Sequence, residues 1–367
     1  MSDVPAILSA RTHMQLPGND ELIRKMPCPS TIALTIERTR NEISRILRGE
    51  DDRLLVVVGP CSIHDPIAAL DYAQKLSEIK SQFESNLCLV MRTYFEKPRT
   101  TIGWKGFIYD PNLDGSADMH TGLTLARELL LNINALGLGA ATEFLCPLNA
   151  LYIADLISWG AIGARTTESQ THRELASALP CPIGFKNSTD GNIKVAMNAI
   201  QAAQFQQIFC TTIRNGKFEA VQSTGNSNCH LILRGGTIPN YYPEDIKLAI
   251  SQLDSVSLPT GIMVDCSHGN SQKKHGNQMV VVDSLCDQMG SGQQNISAVM
   301  IESFLEEGNQ KISKPANMRY GQSVTDACIG WKDTYHILEL LSEAVVRRRH
   351  LFTASHNMEV ELSQSAI

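Results

Sequence analysis

The sequence predicts an α/β fold: a (β/α)8 barrel with an N-terminal extension and an inserted β-hairpin. Three observations predict it. Eight short apolar runs recur along the chain, separated by amphipathic stretches of helical length. Several runs are apolar on both faces, as parallel strands covered by helices require. Each run ends beside an ionisable or metal-capable side chain, at the end of the strand where such a barrel builds its active site. A doubly wound open sheet is the alternative.

Residues 1 to about 30 read as an irregular extension, with prolines at 5, 17, 27 and 29. A helix is expected over Thr31–Arg48, stopped by Gly49 at the C′ position. The expected strands are Leu54–Val58, Leu87–Met91, Gly139–Thr142, Ala161–Ala164, Ile183–Phe185, Leu231–Leu233, Ile262–Val264 and Ala298–Ile301. Asp65 followed by Pro66 is a helix start, with Asp65 as N-cap and Pro66 at N1. His64 can still reach the barrel mouth. Residues 207–222 break the rhythm and read as a hairpin turning at Asn215-Gly216. The run Arg347-Arg348-Arg349-His350 reads as the solvated end of a last helix, favoured by its dipole. The TIM barrel domain is therefore set at residues 31–350, with 351–367 as a tail.

The chain has 367 residues and a net charge of −6, so its surface as a whole offers nucleic acid no attraction. No apolar run spans a membrane, and no basic-then-apolar leader opens the chain. Ten scattered cysteines without paired spacing suggest reduced thiols and a cytoplasmic location.

The residues at the strand ends sort by charge. Arg92, Lys97, Arg99, Lys105, Arg165, Lys186 and Arg234 are cations that would repel one another unless anions fill the space between them. Two phosphates and a carboxylate would fit. Cys61, His268, Glu302 and Asp326 form a mixed S/N/O group that suits Mn, Fe, Co or Zn better than Mg or Ca. Each also has a plainer reading. Cys61 can be a small core residue, His268 and Glu302 a hydrogen-bonded pair, and Asp326 the N-cap of a helix starting near Ala327.

The motifs Gly-Pro-Cys-Ser-Ile-His at 59–64, Lys-Pro-Arg-Thr-Thr at 97–101 and Gly-Ala-Arg-Thr-Thr-Glu-Ser-Gln at 163–170 resemble 3-deoxy-D-arabino-heptulosonate 7-phosphate (DAHP) synthase of the type I, microbial class. So do Gly-Phe-Lys-Asn at 184–187, Leu-Arg-Gly-Gly at 233–236, Asp-Cys-Ser-His-Gly-Asn at 265–270 and Ser-Val-Thr-Asp-Ala-Cys at 323–328. The likeness spans roughly residues 30 to 350. It implies condensation of phosphoenolpyruvate with erythrose 4-phosphate, releasing phosphate, as the first step toward aromatic amino acids. It also implies a divalent metal on Cys61, His268, Glu302 and Asp326, and a phosphoenolpyruvate phosphate clamp of Arg165 and Arg234. Arg92, Lys105 and Lys186 resemble the carboxylate side of that site, and Arg99 and Thr100 the erythrose phosphate site. Lys97 is the expected donor to the aldehyde oxygen and Glu143 the residue that handles water.

Relatives use the extension and the hairpin to form an oligomer, usually a dimer of dimers, and a pocket for phenylalanine, tyrosine or tryptophan. The matching positions are Leu175, Leu179, Phe209, Thr211 and Val221. Many relatives have Ser before the position of Cys181; this chain has Pro180, which lacks both a hydroxyl and a backbone N–H. The expected inhibitor is one aromatic amino acid, phenylalanine or tyrosine ahead of tryptophan. Rival readings are a sister synthase using arabinose 5-phosphate, a Schiff-base aldolase with Lys186 as nucleophile, and an inactive amino-acid-sensing barrel.

Overall fold

The computed structural model of the chain describes residues 14–212, 217–313 and 315–365, apart from the side chains of 315 and 353–365. In chain order the elements are α1 (Asn19–Lys25), α2 (Ser30–Leu47), β1 (Leu54–Gly59), α3 (Pro66–Phe83), β2 (Leu87–Arg92), α4 (Met119–Ala135), β3 (Gly139–Glu143) and α5 (Pro147–Ala150). They continue with β4 (Trp159–Ile162), α6 (Gln170–Ala178), β5 (Ile183–Lys186), α7 (Lys194–Gln204), β6 (Ile208–Thr212), β7 (Phe218–Gln222), β8 (Cys229–Leu233), α8 (Pro243–Asp254), β9 (Ile262–Asp265), α9 (Asn277–Gly290), β10 (Ile296–Glu302) and α10 (Trp331–Ser365). Eight parallel strands close in the order β1-β10-β9-β8-β5-β4-β3-β2, and β6 and β7 form a separate antiparallel pair. The expected barrel and inserted hairpin are both present. The turn expected at Asn215-Gly216 lies outside the described residues.

The strand alternation sorts the side chains into two cores. Val56 and Val58 point outward and join the cluster under the helices. Leu55 and Val57 point inward and pack with Val90, Ala141, Trp159, Ile232, Met263 and Met300. Helix α2 closes this interior from below through Ile43, Ile46 and Leu47. Its end follows the expected pattern, with Gly49 left-handed at φ 72°. Asp65 caps α3, accepting from the Ile67 and Ala68 amides, with Pro66 in the first turn.

Four expectations need correction. The extension contains a helix, α1, and Arg127 of α4 donates to the Met26 carbonyl, tying the segment to the barrel. Strand β4 runs two residues earlier than Ala161–Ala164, because the Gly163 carbonyl accepts from the Thr166 and Thr167 amides and turns the chain. No helix starts near Ala327; the next one is α10, so Asp326 is no N-cap. The Arg347–His350 run is not a solvated helix end. Arg348 is 3% exposed and donates to the Ile296 and Asp52 carbonyls, while Arg349 pairs with Asp52. The helix continues past both.

No helix among the described residues is long and apolar enough to cross a membrane. All ten cysteines are free thiols. Arg348→Met removes the donors to the buried Ile296 carbonyl and the part-buried Asp52 carbonyl and is expected to cost about 2 kcal/mol in denaturant unfolding, with kcat unchanged. Unchanged stability would contradict the strut role.

Candidate active site

The inward alternation continues past Met300 and Ala161 to a final layer at the C-terminal ends of the strands. Its members are Arg92, Glu143, Lys186, Arg234, Asp265 and Glu302, with Gly59 and Gly163 at the remaining two positions. The glycines make room. A Cβ on Gly59 would come within 2.7 Å of the Arg92 carbonyl oxygen, and one on Gly163 within 2.2 Å of Glu143 Oε1.

Two ion pairs organise this layer. Arg92 is fully buried, donates to Glu302 Oε1 at 2.9 Å and to the Pro60 and Cys61 carbonyls, and stacks its guanidinium 3.4 Å from the Tyr94 ring centroid. Lys186 Nζ donates to Asp265 Oδ2 at 2.9 Å. The same oxygen lies 2.9 Å from His268 Nδ1. Burial alone would raise the Asp265 carboxyl, but the His268 and Lys186 charges and hydrogen bonds from His268 and Ser267 hold it well below the ordinary range. Asp265 received no role from the sequence; only its partners reveal it.

Above the layer opens a cavity of about 420 Å³. Among the described residues its lining includes six cations (Lys97, Arg99, Arg165, Lys186, Arg234 and Lys273) and two carboxylates, Glu143 and Asp326. Arg234 is held where Gly235 and Gly269 pack backbone to backbone; a Cβ on Gly235, at φ 74°, would lie 2.5 Å from the Gly269 carbonyl carbon. The Gly269 amide donates to the Arg234 carbonyl at 3.0 Å. Arg165 donates to the Pro98 carbonyl at 3.3 Å, which joins the β4 and β2 loops over the cavity.

Not every expected residue faces this space. Arg92 lies beneath the cavity, in the barrel interior. Lys105 is exposed, with Nζ 5.8 Å from the Tyr109 ring centroid, and Thr100 is exposed; neither lines the cavity. Lys273, which does, was not singled out in the sequence.

Cys61, Glu302 and Asp326 bring ligand atoms within 4.8 Å of one another. His268 Nε2 is 3.9 Å from Glu302 Oε1. The structure thus brings three of the four expected metal-binding residues together, with His268 beside Glu302. Asp265 engages Nδ1 of His268 and leaves Nε2 for an ion, the usual arrangement of a metal-ligating histidine. Burial, then Glu302, raises the Cys61 thiol, against the Lys97 ammonium 3.1 Å from its sulfur. Burial would lower Lys97, but the Cys61 and Glu302 charges outweigh it and keep the amine protonated. The Asp326 carboxyl, which burial would raise, is held low by Lys97 and His268. The donor set and its spacing fit a borderline divalent ion.

The family model described as "DAHP synthetase I family" matches residues 31–339. The chain belongs to the DAHP synthetase I family. It is 52% identical over 327 residues to a Trp-sensitive phospho-2-dehydro-3-deoxyheptonate aldolase of Enterobacter agglomerans, covering 89% of this chain and 94% of that one. The Escherichia coli K12 protein of that description is 51% identical over 328 residues, with the same coverage of both chains. The solved structure of phospho-2-dehydro-3-deoxyheptonate aldolase from Francisella tularensis SCHU S4 superposes with a TM-score of 0.91 at 48% identity, covering 93% of this chain and 99% of that one. This DAHP synthase condenses phosphoenolpyruvate with erythrose 4-phosphate at the first step of the shikimate pathway.

One buried acid beside the site of the synthase went unnoticed in the sequence. Glu96 precedes Lys97, accepts from Asn149 Nδ2 at 2.8 Å and from the Cys146 amide at 3.3 Å, and so ties the Lys97 loop to the loop after Glu143. Burial pushes its carboxyl up to about 7, from an ordinary 4.5. Between those values the fold holds a proton that the unfolded chain has lost. Stability should therefore fall as pH rises from 4.5 to about 7, by up to about 1.4 kcal/mol per pH unit from this group. Urea titrations across that window should show a flatter profile for Glu96→Gln; identical profiles would contradict the assignment.

Proposed function

We propose the following division of labour in the condensation, carried by one observation: six cations and only two carboxylates line the described cavity. Such an excess suits two phosphorylated substrates, one of them also a carboxylate. Arg165 and Arg234 clamp the phosphoenolpyruvate phosphate. Lys186, steered by Asp265, takes its carboxylate, and Arg92 supports that side from beneath. Lys97 donates toward the aldehyde oxygen of erythrose 4-phosphate as C3 of the enol ester attacks. Glu143 positions the water that adds at C2 and accepts its proton. The hemiketal phosphate then expels inorganic phosphate, which the cations stabilise as it leaves. Arg99 binds the erythrose phosphate.

Cys61, His268, Glu302 and Asp326 would hold a divalent ion, with Mn, Fe, Co or Zn favoured by the thiolate and imidazole. When bound, that ion supplies Lewis acidity to the aldehyde oxygen. Chelation is expected to abolish phosphate release from the two substrates, and Mn2+ or Co2+ to restore it. Full activity in a metal-free preparation would sink this assignment.

For regulation, tryptophan moves ahead of phenylalanine and tyrosine, because the relatives that match 89% of the chain are described as Trp-sensitive. Support comes from the hairpin. Phe209 pairs with Val221, and these two and Thr211 are half-buried, while Ile208 and Phe218 are exposed. Leu175 and Leu179 are buried at α6, and the Ser177 and Ser223 hydroxyls meet at 2.7 Å, joining α6 to the end of the hairpin. The exposed apolar face is suited to a homo-oligomer, a dimer or tetramer. Assays with each aromatic amino acid at about millimolar concentration should show inhibition by tryptophan; insensitivity to all three would refute the regulatory reading.

A further inference from the structure

The strand-end logic assigns every cation in the cavity except Lys273. It lies eight residues beyond Asp265, in a stretch that carries two adjacent lysines, Lys273 and Lys274. The turn that contains them is tightly wound. The Lys273 amide donates to the His268 carbonyl at 2.9 Å, the Gln272 amide to Gly269 at 3.1 Å and the Lys274 amide to Ser271 at 3.0 Å. Three residues of this turn that bear side chains adopt left-handed backbone: His268 at φ 52°, Gln272 at 52° and Lys273 at 59°. That conformation opposes the normal preference of L-residues and persists where the surroundings enforce it. Its result is selective. Lys273 lines the cavity, and Lys274 does not.

The position of Lys273 indicates which substrate it meets. It lines the cavity together with His268, Thr325 and Asp326, and its charge acts on the Asp326 carboxylate. Arg165 follows β4, Lys186 ends β5 and Arg234 follows β8, the side given above to phosphoenolpyruvate. The aldehyde side needs its own cations for a phosphate dianion. Thr100 and Lys105 do not line the cavity, and Arg99 already donates Nε to the Trp104 carbonyl at 2.7 Å. Among the described residues Lys273 takes part in no ion pair.

We propose that Lys273 is a binding residue for the phosphorylated aldehyde, supplying a cation from the β9 side of the cavity. A lysine suits this task because its ammonium is a point charge with three donors on a flexible stem. The inference rests on the condensation reading above and adds a specificity-determining contact to it.

The test is steady-state kinetics on the metal-loaded full chain, varying each substrate in turn. Lys273→Ala and Lys273→Met are expected to raise KM for erythrose 4-phosphate at least tenfold and to leave KM for phosphoenolpyruvate within about twofold. Lys273→Arg should recover most of the loss, and Lys274→Ala should match the unaltered chain. If Lys273→Ala fails to fold, Lys273→Met preserves the side-chain length and carries the same comparison. A KM for erythrose 4-phosphate within twofold of the unaltered chain would overturn the proposal. So would a parallel rise in both KM values, the mark of a merely structural turn. Failure of the unaltered chain to release phosphate from the two substrates would instead overturn the condensation reading on which the proposal rests.

Discussion

The structure depends on how a closed barrel ends in charge. Apart from His230, which accepts from Trp159 Nε1, its interior is apolar from α2 up to Met300, and the next inward layer carries Arg92, Glu143, Lys186, Arg234, Asp265 and Glu302. Charges at such depth are costly unless paired. Two pairs, Arg92–Glu302 and Lys186–Asp265, meet that demand at 2.9 Å each. Removing one partner from pairs of this kind typically costs about 3–5 kcal/mol. The pairs also decide what remains for substrate. Arg234 and Glu143 stay without an ion-pair partner in the layer, and with Lys97 and Arg165 they face the cavity.

Asp265 joins the two halves of the site. One of its oxygens contacts both Lys186 and His268. The proposed carboxylate side of the phosphoenolpyruvate site and the proposed metal site would therefore share one buried anchor. The hairpin enters the chain between β5 and β8, the strands that end in Lys186 and lead to Arg234. Asn187 Oδ1 accepts from the Arg234 amide at 2.8 Å and closes that gap at the mouth.

The fold was legible because buried parallel strands are short apolar runs, and their ends are marked by abrupt charge. The Trp159–Ile162 strand was misplaced because Gly160, Ala161, Gly163 and Ala164 offer no contrast of size or polarity; its end is set by hydrogen bonds to the Gly163 carbonyl. Arg348 looked solvated because its neighbours are charged, yet its partners are carbonyls of distant segments. In the site, Cys61, His268 and Glu302 were singled out from residue type at strand ends, and Asp326 from a motif downstream of them. Asp265, Glu96 and Lys273 were not, because an acid amid apolar residues and a lysine in a turn acquire meaning only from three-dimensional neighbours. Lys105 shows the converse: a cation close in sequence to Lys97 that the loop carries away from the cavity.

The most direct measurement is on Asp265→Asn, an isosteric change that removes the shared charge. Metal affinity by titration and phosphoenolpyruvate affinity by calorimetry should be measured on the same folded protein. The shared-anchor account predicts that both weaken by tenfold or more, as His268 and Lys186 lose their common partner. A loss confined to one ligand, with the other unchanged, would contradict it.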